Sequence, residues 1–172
     1  MKPRITEHIN AALCSHMQKI GMATWLALRC ENYRQFQIDS IQEWLEVPIE
    51  LDQIKFFYDY FGSPVGFVVW AYLAPEVAYR LVNDSNFEMH ISEWNEGNEL
   101  WIIDFVAPFS HAYEIARGMQ KKFINENKVE YIKVYKNNKV RKISIKLPPA
   151  KPEVYCWGAS KALVKQELPK GG

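Results

Sequence analysis

The strongest hydrophobic pattern in the chain is the run Leu100–Val106, in which one charged residue, Asp104, stands among aromatic and aliphatic side chains. A nearly continuous apolar run of this length predicts a strand buried on both faces of a sheet. Pro108 ends the strand, and apolar residues at helical spacing between positions 112 and 123 predict an amphipathic helix after it. Because an ionised carboxylate is costly to bury alone, Asp104 is either a paired core aspartate or a catalytic or orienting group.

The remaining pattern predicts a mixture of helices and strands around this strand. Residues 5–20 and 22–29 have helical spacing, with Gly21 between them as a helix end. Pro48 excludes a regular helix through residues 38–52. The other predicted elements are strands at 53–60 and 65–72, a short helix at 75–82, and strands at 129–135 and 140–147. This order predicts an α+β fold with a mixed central sheet flanked by helices.

The length of 172 residues predicts one domain over residues 1–150, followed by a basic and mobile tail over residues 151–172. No apolar run approaches the roughly 18 residues that a membrane span needs, and the first residues lack a signal-peptide pattern. A cytoplasmic location is therefore expected. The three cysteines are widely spaced, so neither a disulfide framework nor a metal site is predicted.

Charge is distributed unevenly along the chain although the net charge is only +1. Residues 117–172 hold 14 Lys and Arg against four Glu, whereas residues 1–116 hold seven Lys and Arg against 16 Asp and Glu. A basic C-terminal third favours an acidic partner, which could be nucleic acid, an anionic membrane surface or an acidic protein. The alternative is that the two parts neutralise each other within the fold.

Three sequence blocks together resemble one known family. They are Gly-Met-Ala-Thr-Trp-Leu at 21–26, Pro-Val-Gly-Phe-Val-Val-Trp-Ala at 64–71, and Trp-Ile-Ile-Asp-Phe-Val-Ala-Pro-Phe at 101–109. In their order and spacing these blocks resemble motifs of the toxin-activating lysine acyltransferases, which act on RTX toxins of the hemolysin type. The resemblance covers roughly residues 20–145, and the block around Asp104 is its most specific part.

The resemblance implies a fold like that of the GNAT acetyltransferases and a homodimer. It implies that a fatty acyl group moves from the phosphopantetheine thioester of acyl carrier protein to lysine side chains of a protoxin, with no tightly bound cofactor and no metal. A strongly acidic carrier protein would suit the basic C-terminal third. The segment Ser110–Ala112 also lacks the glycine-rich turn that holds the pyrophosphate of coenzyme A in ordinary GNAT enzymes.

One motif departs from the family pattern, which reads Ser-Pro-x-His-Arg where this chain has Cys-Glu-Asn-Tyr-Arg at 30–34. Tyr33 stands in the position of the presumed catalytic histidine, and its ordinary pKa near 10 excludes it as a ready base. Three mechanisms remain open. Asp104 orients or deprotonates the lysine while Tyr33 supports the tetrahedral intermediate, Cys30 carries the acyl group, or His111 replaces the missing base. Cys30 has the alternative of being a small buried residue.

The same motifs place predicted substrate contacts on Trp70, Arg34, Trp101, Lys121 and Lys122. Two other functions stay open from the sequence. Tyrosine in place of histidine would suit a catalytically degenerate relative that binds toxin or carrier protein. The basic C-terminal third with interleaved aromatic residues would suit nucleic-acid binding, but no helix-turn-helix, zinc or RNP pattern accompanies it, so no nucleic-acid partner is expected.

Overall fold

The computed structural model describes residues 11–33, 38, 40–84, 87–134 and 140–147, and it contains one five-stranded sheet with helices on both faces. The strands are β1 (Ile54–Tyr58), β2 (Pro64–Leu73), β3 (Glu99–Val106), β4 (Lys128–Val134) and β5 (Val140–Lys146). The α-helices are α1 (Ala11–Ala27), α2 (Val47–Glu50), α3 (Pro75–Asn83) and α4 (Ala112–Lys122). Short turns of 3₁₀-helix (Glu31–Tyr33, Ile91–Trp94) and π-helix (Gln42–Glu46) complete the described elements. The predicted α+β fold with a mixed sheet is confirmed, while the proposed tail at 151–172 lies outside the described residues.

The strand order is β1-β2-β3-β4-β5, which makes β3 the central strand and explains why its sequence is apolar on both faces. Neighbouring strands are antiparallel except for β3 and β4, which are parallel because α4 connects them. That parallel ladder is short: it pairs only Trp101 with Glu130 and Ile102 with Tyr131. Past Ile102, β3 and β4 are therefore no longer paired by hydrogen bonds.

Alternate side chains of β2 define the two hydrophobic layers of the molecule. Phe67 and Val69 face α1, α2 and α3, whereas Val68 and Trp70 face α4. All four are at most 4% exposed. Successive side chains of a strand point to opposite faces of the sheet, so a strand that is buried on both faces contributes to the core on each side.

One boundary prediction was wrong. Helix α1 runs through Gly21 without a break, because its packing against the sheet outweighs the low helix propensity of one glycine. The helical run around Pro48 is not regular, as predicted: residues 42–46 are π-helix, and Glu46 already has helical dihedral angles (φ −64°, ψ −47°) before α2 begins. No helix among the described residues is both long and apolar enough to cross a membrane.

Gly21 offers a test of the continuous helix. It is exposed, and a Cβ atom built on it meets nothing within 4 Å. Gly21→Ala should raise the free energy of unfolding by about 0.5–1 kcal/mol, since alanine restricts the unfolded chain without strain in the folded one. Chemical denaturation measures the change. The matched control is Gly118→Ala in α4, where the new Cβ would lie 2.5 Å from Cε1 of Phe57 and should bring no gain. Equal effects at the two sites would contradict the assignment.

Candidate active site

A β-bulge in the central strand sets the direction of Asp104. Val69 of β2 pairs with Asp104 and Trp70 pairs with Ile102, which leaves Ile103 as an extra residue in β3. With regular alternation Asp104 would lie on the same face as Ile102, towards α4. The extra residue instead places Asp104 opposite Val69, on the face covered by α1. Bulges of this kind commonly redirect a side chain beside an active site.

The Asp104 carboxylate is held by groups from three parts of the chain. Its Oδ1 atom accepts a hydrogen bond from the Tyr33 hydroxyl and another, 2.7 Å long, from the backbone N–H of Phe105. The Trp44 ring stacks on Tyr33 with centroids 5.0 Å apart, and the Trp44 side chain also donates to Asp104. Oδ2 of Asp104 is buried without a hydrogen-bond partner among the described residues. One oxygen is therefore fixed, and the other retains its capacity to accept.

Burial raises the pKa of both Asp104 and Tyr33. Burial raises the pKa of Asp104 because desolvation disfavours the charged form, and the hydrogen bonds from Tyr33, Phe105 and Trp44 only partly oppose that rise. Burial, followed by the charge of Asp104, raises the pKa of Tyr33 far above its ordinary value. The Tyr33 hydroxyl consequently keeps its proton at every physiological pH. It acts here as a hydrogen-bond donor to Asp104.

Cys30 lies close enough to this pair to be affected by it. Burial, and then the charge of Asp104, raises the pKa of the Cys30 thiol, which is opposite to what a reactive thiolate needs. The neighbouring Arg29 does not compensate, since its guanidinium donates to the Trp25 carbonyl and lies 3.3 Å from the centroid of the Trp25 ring. The geometry therefore favours a protonated thiol at position 30.

An apolar cavity of about 760 Å³ adjoins Asp104 on the α4 side of the sheet. It lies where β3 and β4 have separated, with Ile103 and Ile132 on its strand walls. Along its other wall, α4 and the residue that follows it present one stripe of side chains: Ala112, Ala116, Met119 and Phe123. A cavity of this size lies within the range of small-molecule sites.

His111 is the residue that precedes α4, and its side chain makes no capping bond. The groups that shift the pKa of Asp104 do not include it, and His111 does not line the cavity among the residues described. The structure thus brings Tyr33, Cys30 and Asp104 together.

The predicted substrate contacts are spread over several environments. Trp70 and Trp101 are 4% and 0% exposed and do not line the cavity, so their position gives them a packing role. Lys121 and Lys122 are exposed near the end of α4, and Lys122 Nζ lies 4.5 Å from the centroid of the Trp70 ring. Arg34 lies outside the described residues. Among the described residues, no group of three or more His, Cys, Asp or Glu could hold a metal ion.

Two features of the site were missed by the sequence reasoning. Trp44 stands in a segment without clear periodicity, and only the presence of a tryptophan among polar residues could have marked it. The bulge at Ile103 has no sequence signal at all in an uninterrupted apolar strand. Both features result from tertiary packing around Asp104.

The comparisons with known proteins decide the family. Residues 13–146 match the RTX toxin acyltransferase family. The chain belongs to this family. All three resembling blocks lie within the matched stretch, in α1, β2 and β3, and these elements are neighbours because α1 packs on β2 and β2 pairs with β3. The resemblance seen in the sequence is confirmed.

Named relatives of the family share modest identity with this chain. The RTX-II toxin-activating lysine-acyltransferase ApxIIC of Actinobacillus pleuropneumoniae is 31% identical over 60% of this chain and 64% of that protein. The leukotoxin-activating lysine-acyltransferase LktC serotype A1 of Mannheimia haemolytica is 28% identical over 63% and 64%. The lysine-acyltransferase RtxC of Vibrio cholerae is 27% identical over 66% and 73%. The matched stretch thus spans 64% of the length of the first two relatives.

Among solved structures, a chain described as histone acetyltransferase HPA2 and related acetyltransferase, from Corynebacterium glutamicum, matches 90% of this chain and 100% of its own length. The TM-score is 0.41 and the sequence identity 11%.

Proposed function

We propose that this protein is a cytoplasmic lysine acyltransferase that moves a fatty acyl group from acyl carrier protein to lysine side chains of an RTX protoxin. Membership of the RTX toxin acyltransferase family supports the class of reaction, and the relatives named as toxin-activating lysine-acyltransferases support the acceptor. The observation that carries the proposal is the buried carboxylate of Asp104, which Tyr33 holds on the α1 face of a strand whose other face lines an apolar cavity.

The proposed chemistry is attack of a lysine amine on the thioester carbonyl. A carbon–nitrogen bond forms, the carbon–sulfur bond breaks, and the carrier leaves as a thiolate. Oδ2 of Asp104, which has no partner in the described chain, accepts a hydrogen bond and then the proton from the attacking amine. That proton finally neutralises the thiolate. Tyr33 stays protonated and holds the carboxylate in the orientation that this transfer needs.

Acyl carrier protein as donor is supported by charge. Lys121 and Lys122 are exposed on α4, in the basic third of the chain, and an acidic carrier would be steered to that side of the molecule. Arg34 follows Tyr33 in the sequence and stays a predicted substrate contact. The turn before α4, with Ser110 at φ 65°, contains no glycine and so differs from a turn built to hold pyrophosphate. A homodimer is part of the same proposal.

The second candidate is a catalytically degenerate relative that binds the toxin or the carrier protein. The observation in its favour is that Tyr33, which cannot act as a base, occupies the position where the family pattern has histidine.

The deciding experiment supplies acylated acyl carrier protein and a protoxin, and reads the mass of each toxin lysine by mass spectrometry. We expect acyl mass on specific internal lysines only when the protein is present. Binding of both partners with no added mass, given a donor shown to be competent with a known relative, would establish the degenerate alternative.

Tyr33→Phe tests the positioning role of the hydroxyl. Removing it leaves Asp104 with fewer donors, so acyl transfer should fall roughly tenfold to a hundredfold, the worth of one hydrogen bond to a charged group. Initial rates of lysine acylation measure the effect. Cys30→Ala is the matched control from the same turn and should keep activity within about threefold. Loss of all transfer in Cys30→Ala, with Tyr33→Phe unaffected, would instead establish a covalent cysteine route.

A further inference from the structure

We propose that an exposed aromatic surface beside Asp104 is the docking site for an apolar segment of the acceptor polypeptide. This surface, the aromatic rim, consists of Trp25, Tyr58, Tyr60, Phe61 and Phe109. That the acceptor is a protoxin rests on the function proposed above, whereas the binding of an apolar polypeptide segment does not.

All five side chains of the rim are in contact with solvent. Tyr60 and Phe61 are 98% and 87% exposed in the turn between β1 and β2. Tyr58, Trp25 and Phe109 are 40–51% exposed. Exposed apolar patches of this kind commonly mark interaction sites, and aromatic side chains contribute strongly to binding when a partner covers them.

Contacts join the members of the rim into one surface. The rings of Trp25 and Phe109 have centroids 5.9 Å apart. Met22 precedes Trp25 by three residues and so lies beside it on α1. The Tyr58 hydroxyl donates to Sδ of Met22 at 3.7 Å, and Tyr58 directly precedes the turn that carries the other two aromatic residues. The rim therefore extends from the loop after β3, across α1, to the β1–β2 turn.

The rim lies at the same end of the sheet as Asp104. The β1–β2 turn projects beyond the end of β3, because β3 ends opposite Phe67, the fourth residue of β2. Trp25 of α1 contacts Phe109 in the loop after β3. In the turn that follows α1, Tyr33 donates to Asp104. A polypeptide that presents a lysine amine to Asp104 at this junction would extend over the rim.

The chemistry of the rim favours an apolar polypeptide segment over a charged partner. Arg29 adjoins the rim, but its guanidinium lies 3.3 Å from the centroid of the Trp25 ring and donates to the Trp25 carbonyl. Oδ1 of Asp59 accepts hydrogen bonds from the backbone N–H groups of Phe61 and Ser63. Both charges are thus engaged within the chain. Peripheral binding to an anionic bilayer relies on clustered Lys and Arg, and no member of the rim is basic.

The test measures the binding of two fluorescein-labelled lysine peptides to the full chain by fluorescence anisotropy. One peptide carries Leu and Phe beside its lysine, and the other carries Ser at the same positions. Wild type should bind the apolar peptide at least about tenfold more tightly. The double variant Tyr60→Ser, Phe61→Ser should weaken that binding roughly a hundredfold, since each aromatic side chain that the peptide covers contributes about tenfold.

Tyr79→Ser is the matched control, because it removes a tyrosine that is 70% exposed on α3, which follows the opposite end of β2. It should leave both affinities unchanged. Trp25→Gln tests the rim from α1 and should weaken binding of the apolar peptide about tenfold, independently of the β1–β2 turn. Equal affinity of wild type and the double variant for the apolar peptide would overturn the proposal.

Two other occupants of the rim have their own readouts. Cosedimentation of wild type with phosphatidylcholine vesicles, lost in the double variant, would assign the rim to a lipid surface and overturn the proposal. A wild-type dimer that the double variant dissociates, as measured by sedimentation equilibrium, would assign the rim to a second copy of the chain and likewise overturn it.

The docking site and the proposed function fail in different ways. Acylation of protoxin lysines with the same KM for the protoxin in wild type and the double variant would refute the docking site and leave the acyltransferase function standing. Peptide binding that depends on the rim, without any acyl transfer, would establish the docking site and refute the proposed function.

Discussion

Asp104→Asn should lower the rate of acyl transfer to protoxin lysines by about a thousandfold, in the middle of the range measured for loss of a general base. Asparagine has nearly the same shape and can still accept the hydrogen bonds from Tyr33 and the Phe105 backbone. It cannot accept a proton. The substitution therefore removes the chemistry proposed for Oδ2 while preserving the surrounding contacts, and mass spectrometry of the toxin lysines measures the loss.

The control for this variant is Asp52→Asn, the same substitution at an exposed residue whose side chain is 87% accessible. Asp52 has φ 52°, a conformation that asparagine adopts as readily as aspartate, so folding should not change. Transfer by Asp52→Asn should equal wild type. Undiminished transfer by Asp104→Asn, with the variant folded, would contradict the role of Asp104 in catalysis.

The same Asp104→Asn variant should be more stable than wild type at pH 7, by about 1–2 kcal/mol in the free energy of unfolding. Burial makes the ionised carboxylate unfavourable in the folded protein, and the neutral amide avoids that penalty. A gain in stability accompanied by a loss of activity is typical of a residue that is retained for chemistry.

The stability difference between wild type and Asp104→Asn should depend on pH. The pKa of Asp104 is raised in the folded protein above its ordinary value of 3.8. Between those two values the folded protein holds a proton that the unfolded chain has released, so the contribution of Asp104 to stability falls as pH rises through the raised pKa. Wild type and Asp104→Asn should therefore differ little below pH 3.8, diverge between pH 3.8 and the raised pKa, and keep a constant difference above it.

Urea unfolding at a series of pH values, with the two proteins measured in parallel, checks this difference. A wild type as stable as the variant across the whole range would show that Asp104 ionises in the folded protein without penalty.

Much of the fold could be predicted because it depends on patterns that are local in the sequence. The run Leu100–Val106 is the central strand, and the helical spacing after Pro108 is α4. The error at Gly21, inside α1, arose because packing outweighed a local preference. Helix-breaking residues predict a boundary only when nothing else holds the helix on either side.

The candidate site was predictable in part. Asp104 was marked by being a lone carboxylate in an apolar strand, and Tyr33 by a departure from the family motif. Nothing in the sequence, however, could show that the Tyr33 hydroxyl contacts the Asp104 carboxylate. The hydrogen bond between Tyr33 and Asp104 depends on one extra residue in β3, Ile103, which changes the face of the sheet on which Asp104 lies. Trp44 was not predicted because its role depends entirely on a stack with Tyr33 that spans separate segments.

The bulge also has a kinetic consequence. Asp104 lies on the α1 face of the sheet, while the cavity that it adjoins opens on the α4 face. In the proposed reaction the amine attacks the thioester carbonyl directly, so the bulge at Ile103 must serve the acceptor and the donor at the same time. The enzyme would then form a ternary complex before any bond changes, with rate plots that intersect as in a sequential bisubstrate mechanism.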